Sequence, residues 1–207
     1  MKVIPNDLAE RLRASLALPP PPNLLIGDLL ADDLVELPDT DLQPAAVLVA
    51  ITDRPEPGLH LTLRREDMRS HAGQVAFPGG RLDPGEDAVT AALREAEEEI
   101  GLPQGVVELW GKADCYRTIT NFIVTPILGL VPPDLLLSPH EHEVADLFEA
   151  PLSFVLDPAN QQRMTAEFQG ATRTYYQINW DGRRIWGATA AMIVNLTRRL
   201  EALEGAA

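Results

Sequence analysis

The chain has 207 residues, of which 45% are hydrophobic, and it carries a formal net charge of −14 at pH 7. This length suits one large domain or a domain with an extension, and the composition is not that of a disordered chain. Nucleic acids and anionic membranes are excluded as general partners, because both attract proteins through a basic surface. An anionic small ligand would therefore need a local basic patch or a divalent metal.

The single cysteine, Cys115, rules out an intrachain disulfide and favours a reducing compartment. We expect its thiol to be buried. The first residues carry no apolar signal region, and no run of the sequence approaches the roughly 18 apolar residues of a membrane span. The sequence therefore predicts a cytoplasmic protein.

Residues 1–42 are predicted to form an extension, followed by a main domain at 43–207. A short amphipathic helix is predicted at 6–18, with Asn6 or Asp7 as its N-cap. Four consecutive prolines then end this helix and form a stiff spacer. We expect the extension to pack on the main domain or to be shared between copies of it.

The main domain alternates between strand patterns and two long helices. Strands or short extended pieces are predicted at 45–52, 59–64, 74–78, 106–116 and 121–131. Helical periodicity predicts helices at 86–100 and 188–203. Residues 139–156 are predicted to run from a loop into a short helix, and 173–187 to form a hairpin around an Asp-Gly turn at 181–182. This mixture predicts an α/β fold with helices on both faces of a mixed sheet.

The helix at 86–100 carries a cluster of glutamates near its C-terminal end. On a helical wheel, the stripe predicted to be buried consists of Val89, Leu93, Ala96 and Ile100. Glu95, Glu98 and Glu99 fall on the opposite side, so they are predicted to form one polar face pointing away from the core. Arg94 lies one turn before Glu98, where it can orient that carboxylate.

Two interpretations of this cluster stay open on spacing alone: a solvated acidic face, or a site for a divalent cation. The helix dipole disfavours acidic residues in a last turn, and no basic residue four positions on relieves them. Hard Mg²⁺ or Mn²⁺ prefers carboxylate oxygens. The i, i+3 and i+4 spacing of Glu95, Glu98 and Glu99 places three carboxylates near one another, where they could bind a single cation. Gly79 and Gly80, just before the helix, let a backbone carbonyl turn toward such a metal.

The same stretch resembles the Nudix box, Gly-x5-Glu-x7-Arg-Glu-U-x-Glu-Glu-x-Gly-U, where U is bulky and apolar. The matching residues are Gly80, Glu86, Arg94, Glu95, Glu98, Glu99, Gly101 and Leu102. Ala96 is the one departure, at a bulky apolar position. The resemblance implies a Nudix α/β/α sandwich with a central mixed sheet, and hydrolysis of a nucleoside diphosphate linked to another group. It also implies that Mg²⁺ or Mn²⁺ is held by Glu95, Glu98, Glu99 and the carbonyl of Gly79.

The upstream segment 61–80 resembles the second motif of the coenzyme A pyrophosphatase branch of this family. The matching residues are Leu61, Thr62, Arg64, Arg69, Gly73, Phe77, Pro78, Gly79 and Gly80. The chain departs from the motif at His60, where Leu is usual, and at Arg65, where Ser or Ala is usual. The residues implied to bind the substrate are Arg64, Arg69, Gly73 and Phe77. Without the resemblance, the arginines would be read as ordinary surface charge.

Farther on, Glu143 begins a segment that resembles the family's Glu-Val-x-x-x-Phe-x-x-Pro-Leu pattern, and 185–190 resembles the start of its last helix. The resemblance implies that Glu143 is an extra metal ligand or the base that activates water; a surface loop glutamate is the alternative. Glu95 is the second candidate base, and Arg94 completes the predicted catalytic residues.

The function implied by these motifs is metal-dependent hydrolysis of the diphosphate of coenzyme A or its derivatives. Two other functions stay open. The first is a Nudix pyrophosphatase for ADP-ribose or a dinucleotide. The second is a catalytically silent Nudix domain that senses a nucleotide. The resemblance and the apolar stripes near both termini also predict a homodimer.

Overall fold

The structure is a computed structural model and describes residues 7–27, 29–30, 42–68, 71–168 and 171–206. The helices of the described chain are α1 (Leu8–Ser15), α2 (Ala88–Ile100), α3 (Leu152–Val155) and α4 (Ala188–Gly205). Its strands are β1 (Leu25–Ile26), β2 (Leu29–Leu30), β3 (Gln43–Thr52), β4 (Gly58–Arg64), β5 (Val75–Ala76), β6 (Gly79–Arg81), β7 (Glu108–Lys112), β8 (Tyr116–Arg117), β9 (Phe122–Val131), β10 (Val144–Pro151), β11 (Gln162–Phe168), β12 (Ala171–Trp180) and β13 (Arg183–Trp186). None of the described helices is both long and apolar enough to traverse a bilayer.

β3 lies at the centre of the main sheet, whose principal strand order is β10-β4-β3-β9-β7. β3 and β9 run parallel, whereas the other neighbours in this order are antiparallel. The sheet is therefore mixed, as predicted. β3 pairs with β4 at Ile51 and with β6 at 45–47, so these two strands occupy different parts of the same edge of β3. β6 contacts α2 and leads toward it along the chain.

Both faces of β3 are buried, because helices cover the sheet on both sides. Ala46, Leu48 and Ala50 pack in one cluster with the apolar residues of α2. Val49 and Ile51 point the other way, into the larger cluster that contains the buried residues of α1 and α4. The arrangement is an α/β/α sandwich, and it confirms the predicted fold class. It also explains why the sequence of β3 is a continuous apolar run.

The first helix packs on the main domain of the same chain. Asp7 caps α1, as predicted, and α1 packs against α4. Arg199 of α4 donates to the carbonyl oxygens of Ser15 at 3.0 Å and Leu18 at 3.2 Å, so it also holds the end of this helix. The division of the chain between residues 42 and 43 stays a prediction.

The predicted hairpin near the C-terminus is confirmed. β12 and β13 pair antiparallel and are joined by Asp181 and Gly182. Both joining residues have positive φ, 47° and 72°, as the two-residue type I′ turn requires. The Asp-Gly pair is therefore a sufficient sequence signal for this turn.

Three sequence predictions are wrong in detail. Within 139–156 the structure has strand β10, and the helical part is only the single turn α3. A bulge at the exposed Ala145 interrupts the strand's alternation, which hid it from a pattern search. The strand predicted at 106–116 is divided into β7 and the start of β8. Cys115 lies between these strands and is exposed, contrary to the expectation of a buried thiol.

A buried polar cluster joins the ends of β3, β4 and β10. His60 is 9% exposed, faces Glu149 across the strand pair, and has no hydrogen-bond partner for Nδ1. Burial is the main cause that lowers the pKa of His60; Glu149 opposes this shift and Arg54 adds to it. Glu149 accepts a hydrogen bond from Thr52 Oγ1 at 2.6 Å and pairs with Arg54 at 3.2 Å. His60 is therefore a neutral, incompletely satisfied group in the protein interior.

We expect His60→Leu to raise the free energy of unfolding by about 1 kcal/mol at pH 8, because it removes an unsatisfied buried nitrogen. The gain should grow as the pH falls below about 6.5, since the unfolded histidine then takes up a proton that the buried ring resists. Urea unfolding at pH 8 and pH 5.5 measures both effects, with the exposed His142→Leu as control. A gain that is the same at both pH values would contradict the prediction.

Candidate active site

Helix α2 is delimited by two capping residues that fix where its glutamates lie. Asp87 accepts hydrogen bonds from the backbone N–H groups of the second and third residues that follow it, at 2.8 and 3.0 Å, so the helix begins at Ala88. Gly101 ends it in the left-handed conformation, with φ 68°. Glu95 through Glu99 therefore occupy the last two turns, as the sequence predicted.

The predicted orientation of this helix needs a correction. Glu99 is only 4% exposed, whereas Val89 and Leu93, which were predicted to be buried, are half-buried. The residues of α2 that are buried are Ala88, Ala91, Ala92, Ala96, Glu99 and Ile100. Alanines let the helix lie close against the sheet, and this rotates the buried face toward Glu99. The glutamates thus span the boundary between core and solvent instead of forming one exposed face.

Glu99 is held from two sides. Its Oε2 accepts a hydrogen bond from the backbone N–H of Gly79 at 3.1 Å, and its Oε1 lies 3.4 Å from Nη1 of Arg64. Burial raises the pKa of Glu99 to about 7, against the opposing effects of these two donors; the nearby charges of Glu95 and Glu143 raise it further. In the absence of a cation, this carboxyl therefore retains a proton into the neutral range.

Arg94 connects most of the acidic residues around the helix. It donates to Glu86 through Nε and Nη2 at 2.9 Å each, to Glu95 at 3.0 Å, to Glu98 at 3.1 Å, and to the carbonyl oxygen of Arg81 at 3.1 Å. These contacts use all five N–H donors of a guanidinium. Arg94 therefore has no donor left for a substrate, and its contacts suit the predicted role of orienting the carboxylates; its place among the catalytic residues stays a prediction.

The pairing of Arg94 with Glu86 was not recognised from the sequence. Glu86 lies just before the helix, where its carboxylate accepts hydrogen bonds from Nε and Nη2 of Arg94 and, at 2.9 Å, from the backbone N–H of Asp83. The hydrogen bond from Arg94 is the main cause that lowers the pKa of Glu86, and the hydrogen bond from the N–H of Asp83 adds to it. The available signal was that Glu86 and Arg94 are both fixed positions of the motif.

Glu143 reaches the site because its loop is tied to the end of α2. The backbone N–H of Ser138 donates to the carbonyl oxygen of Ile100 at 2.9 Å, and that of His140 donates to the carbonyl oxygen of Glu99 at 2.8 Å. The turn that follows, closed by the N–H of Glu143 and the carbonyl of His140 at 2.9 Å, brings this half-buried carboxylate beside the helix. It is therefore not an isolated surface loop glutamate.

Glu95 is the second candidate base. Its side chain is 17% exposed. Burial is the main cause that raises the pKa of Glu95; the hydrogen bond and charge of Arg94 oppose this, and Glu98 and Glu143 add to it. A partly desolvated carboxyl with a raised pKa suits proton transfer near neutral pH. The structure thus leaves Glu95 and Glu143 as neighbouring candidates.

Four carboxylates therefore influence each other in one partly buried region, but their present side-chain positions do not form a cage. In the described parts of the chain, no three His, Cys, Asp or Glu side chains are grouped closely enough to hold a metal ion. The physical reason is that Arg94 and Arg64 now pair with Glu95, Glu98 and Glu99. All the donors are oxygens and their like charges repel, so the set fits a hard divalent cation.

The residues predicted to bind the substrate have different surroundings. Arg64 ends β4 and lies beside Glu99, as described above. Gly73 has φ 66° in the loop between β4 and β5, where its N–H donates to the carbonyl of Arg65 at 3.2 Å. Phe77 is 2% exposed and packs in the core, where its side chain supports the turn; its assignment to substrate binding stays a prediction. Arg69 lies outside the described residues.

The two glycines of the turn are predicted to tolerate alanine differently. A Cβ on Gly80 would overlap the Glu95 carboxylate, which is the end of a flexible side chain. Gly80→Ala should therefore fold but lose turnover by about tenfold or more, because Glu95 is displaced. A Cβ on Gly79 would overlap the backbone of Ala46 and Val47, so Gly79→Ala should lose about 2 kcal/mol of unfolding free energy.

Thermal unfolding and turnover of both glycine variants test this contrast, and each variant is the control for the other. The prediction fails if Gly80→Ala keeps full activity, or if it is destabilised more than Gly79→Ala.

Comparison with known proteins identifies the family. The NUDIX domain family matches residues 42–177 of this chain. The chain is 41% identical over 157 residues to a protein of Yersinia pestis (strain Pestoides F) described as an uncharacterized Nudix hydrolase, NudL; the match covers 75% of this chain and 79% of that protein. A protein of the same description from Yersinia pseudotuberculosis serotype O:1b (strain IP 31758) is equally similar.

Similar solved structures include a Nudix hydrolase of M. smegmatis, RenU, at 24% identity and a TM-score of 0.48, covering 56% of this chain and 74% of that chain. A MutT/nudix family protein of Enterococcus faecalis has 14% identity and a TM-score of 0.49, covering 81% and 66% of the two chains. At such scores the structural likenesses carry no argument, and the sequence matches decide. The chain belongs to the Nudix family and is a Nudix hydrolase, a pyrophosphatase.

Proposed function

We propose that this enzyme hydrolyses the diphosphate bond of coenzyme A and of its acyl or oxidised forms. The products are 4'-phosphopantetheine, or its acylated form, and adenosine 3',5'-bisphosphate. The motif around Arg64 and Gly73 supports this choice of substrate within the family. The observation that carries it is that Arg64 lies beside the acidic cluster with Nε buried and without a hydrogen-bond partner. A phosphate oxygen would satisfy this donor.

The residues that would hold Mg²⁺ or Mn²⁺ are Glu95, Glu98 and Glu99, with the carbonyl of Gly79. When bound, such a cation neutralises charge on the phosphoryl oxygens and lowers the pKa of a coordinated water. A protein of net charge −14 needs this positive charge at the site to accept an anionic substrate.

The reaction is attack of a water oxygen on one phosphorus of the diphosphate. One O–P bond forms, the bridging P–O bond breaks, and the proton of water passes to a carboxylate. Glu143 or Glu95 takes this proton. Arg64 binds the phosphate, and Arg94 keeps Glu95 and Glu98 in place. Arg69, from the same motif, is proposed as a second phosphate ligand.

Release of 4'-phosphopantetheine by the purified protein tests the proposal. We expect turnover of coenzyme A with Mg²⁺ or Mn²⁺, loss of turnover with EDTA, and recovery when the cation is restored. Turnover of the 3'-dephospho form should be weaker, because the 3'-phosphate would no longer contribute charge. Preferred cleavage of ADP-ribose or a dinucleotide would refute the substrate, and no cleavage of any diphosphate would refute the hydrolysis. The homodimer and the cytoplasmic location stay predictions.

A further inference from the structure

Arg65 is the residue at which the chain departs most clearly from the resembled motif, and the structure gives it a definite set of contacts. It follows directly after Arg64 at the end of β4. Its Nε and Nη2 donate to the two carboxylate oxygens of Asp67 at 2.8 Å each. Its Nη1 donates to the carbonyl oxygen of Glu141 at 2.9 Å. The guanidinium therefore joins the loop after β4 to the turn that precedes Glu143.

The backbone of Arg65 makes the same connection. Its N–H donates to the carbonyl oxygen of Glu143 at 3.2 Å, and its carbonyl accepts from the N–H of Gly73 at 3.2 Å. The backbone of Arg65 therefore contacts both the backbone of Glu143, a candidate base, and the loop that ends at Gly73.

The turn around Glu143 needs such support, because the strand ladder is irregular there. β10 pairs with β4 at Val144 and again at Asp146, with a bulge between them. A bulge bends the strand and re-aims the side chains beside it. Beyond it lies an open cleft of about 540 Å³, lined by Arg65, Asp67 and Glu141 among others. The Arg65 side chain lines this cleft, and its hydrogen bond to the carbonyl oxygen of Glu141 ties the turn before the bulge to the end of β4.

Arg65 is arranged to support the site and not to bind phosphate. Three of its five N–H donors are committed to protein oxygens, and its charge is paired with Asp67. Arg64, its neighbour, keeps an unpartnered buried donor instead. The two adjacent arginines thus have different surroundings, which predicts different kinetic effects.

We propose that Arg65 is a positioning residue that holds Glu143 in place relative to Arg64 and the loop ending at Gly73. The inference rests on the proposed function in one respect, that Glu143 acts in the hydrolysis. It adds a residue to which the family resemblance assigns no role.

A double-mutant cycle between Arg65→Ala and Glu143→Gln tests this role. Arg65→Ala alone should lower kcat about tenfold and leave KM within about twofold. Losses of about this size are typical when a residue that orients a functional group, without itself contacting the substrate, is removed. In the Glu143→Gln background the same change should have little further effect, because coupled residues are not additive. Arg65→Lys should restore only part of kcat, because the lysine ammonium cannot donate to both oxygens of Asp67 and to the carbonyl of Glu141 in the fixed planar arrangement of a guanidinium.

Two further variants keep the test decisive. Arg184→Ala removes an exposed arginine of β13 and should leave kcat and KM unchanged. Asp67→Ala, which frees the guanidinium without removing it, should lower kcat less than Arg65→Ala does. Arg65→Ala that raises KM at unchanged kcat would show a substrate contact and overturn the proposal. Full additivity in the cycle, or a fully active Glu143→Gln, would overturn it as well.

Failure of the proposed function is separable, because it is measured on the unaltered enzyme. If the wild-type protein cleaves a different diphosphate, the cycle is run on that substrate and still decides whether Arg65 acts through Glu143.

Discussion

Glu98→Gln and Glu99→Gln are each expected to lower turnover by at least about a hundredfold while the protein remains folded. Glutamine keeps the shape of each side chain but removes the negative oxygens that a divalent cation requires. Loss of a direct ligand should exceed the 10- to 100-fold effects typical of outer contacts. Initial rates with saturating Mg²⁺ or Mn²⁺ measure the effect, and circular dichroism checks the fold.

Glu97→Gln is the matched control, since it makes the same change of charge one residue away. Glu97 is exposed and accepts a hydrogen bond from Gln104 Nε2 at 2.8 Å, away from the acidic cluster. Its replacement should leave turnover within about twofold. If Glu98→Gln or Glu99→Gln retains a near-wild-type rate with excess cation, the proposed metal ligands are wrong.

Glu99→Gln should also change stability in EDTA. The folded-state pKa of Glu99, about 7, lies above its unfolded value, so ionising this group destabilises the folded protein progressively from about pH 4.5 to pH 7. Glutamine cannot ionise. The variant should therefore gain stability relative to the wild type as the pH rises through this range. Urea unfolding at pH 5 and pH 8 measures the difference, and equal differences would contradict the assigned burial of the charge.

Arg94→Ala has the second large expected effect. It removes five hydrogen bonds at once and leaves Glu86 and Glu95, whose side chains are only 9% and 17% exposed, without their cation. An unpaired carboxylate in such surroundings is strongly unfavourable. We expect the melting temperature to fall by at least about 5 °C and turnover by at least about a hundredfold. Differential scanning calorimetry and initial rates measure the two effects.

Arg94→Lys separates charge from geometry. Lysine keeps the positive charge but has three donors on one atom, so it cannot reach three carboxylates and a carbonyl together. It should recover part of the melting temperature and little of the turnover. Arg13→Ala, which breaks an exposed pair with Glu108, is the control and should change neither. Equal effects of Arg94→Ala and Arg13→Ala would contradict the central role of Arg94.

The parts of the fold that were predictable from sequence are those fixed by local patterns. The apolar run of β3 follows from burial on both faces, and the Asp-Gly turn at 181–182 follows from backbone conformation. The glycine at 101 that ends α2 is of the same kind. The spacing of the motif also placed Arg94 beside Glu98 correctly, because residues four apart on a helix are neighbours.

The parts that were missed depend on contacts between distant segments. Residues 162–167 of β11 are exposed on both faces, and only the pairing with β12 makes them a strand. The burial of Glu99 depends on how closely α2 approaches β3, which a wheel cannot show. The contacts of Arg65 depend on the position of a turn that starts seventy-odd residues later in the chain. Local periodicity contains none of this information.

The attachment of residues 138–140 to the last carbonyls of α2 has a consequence for how such an enzyme can diversify. Leu135 and Leu137 pack against the core below α2, and the backbone bonds at 138–140 follow them, so a change of length between these two leucines should not displace Glu143. Leu136, which lies between them, is fully exposed. An insertion at Leu136 should therefore change the exposed surface of this connection, while Glu143 keeps its place beside α2.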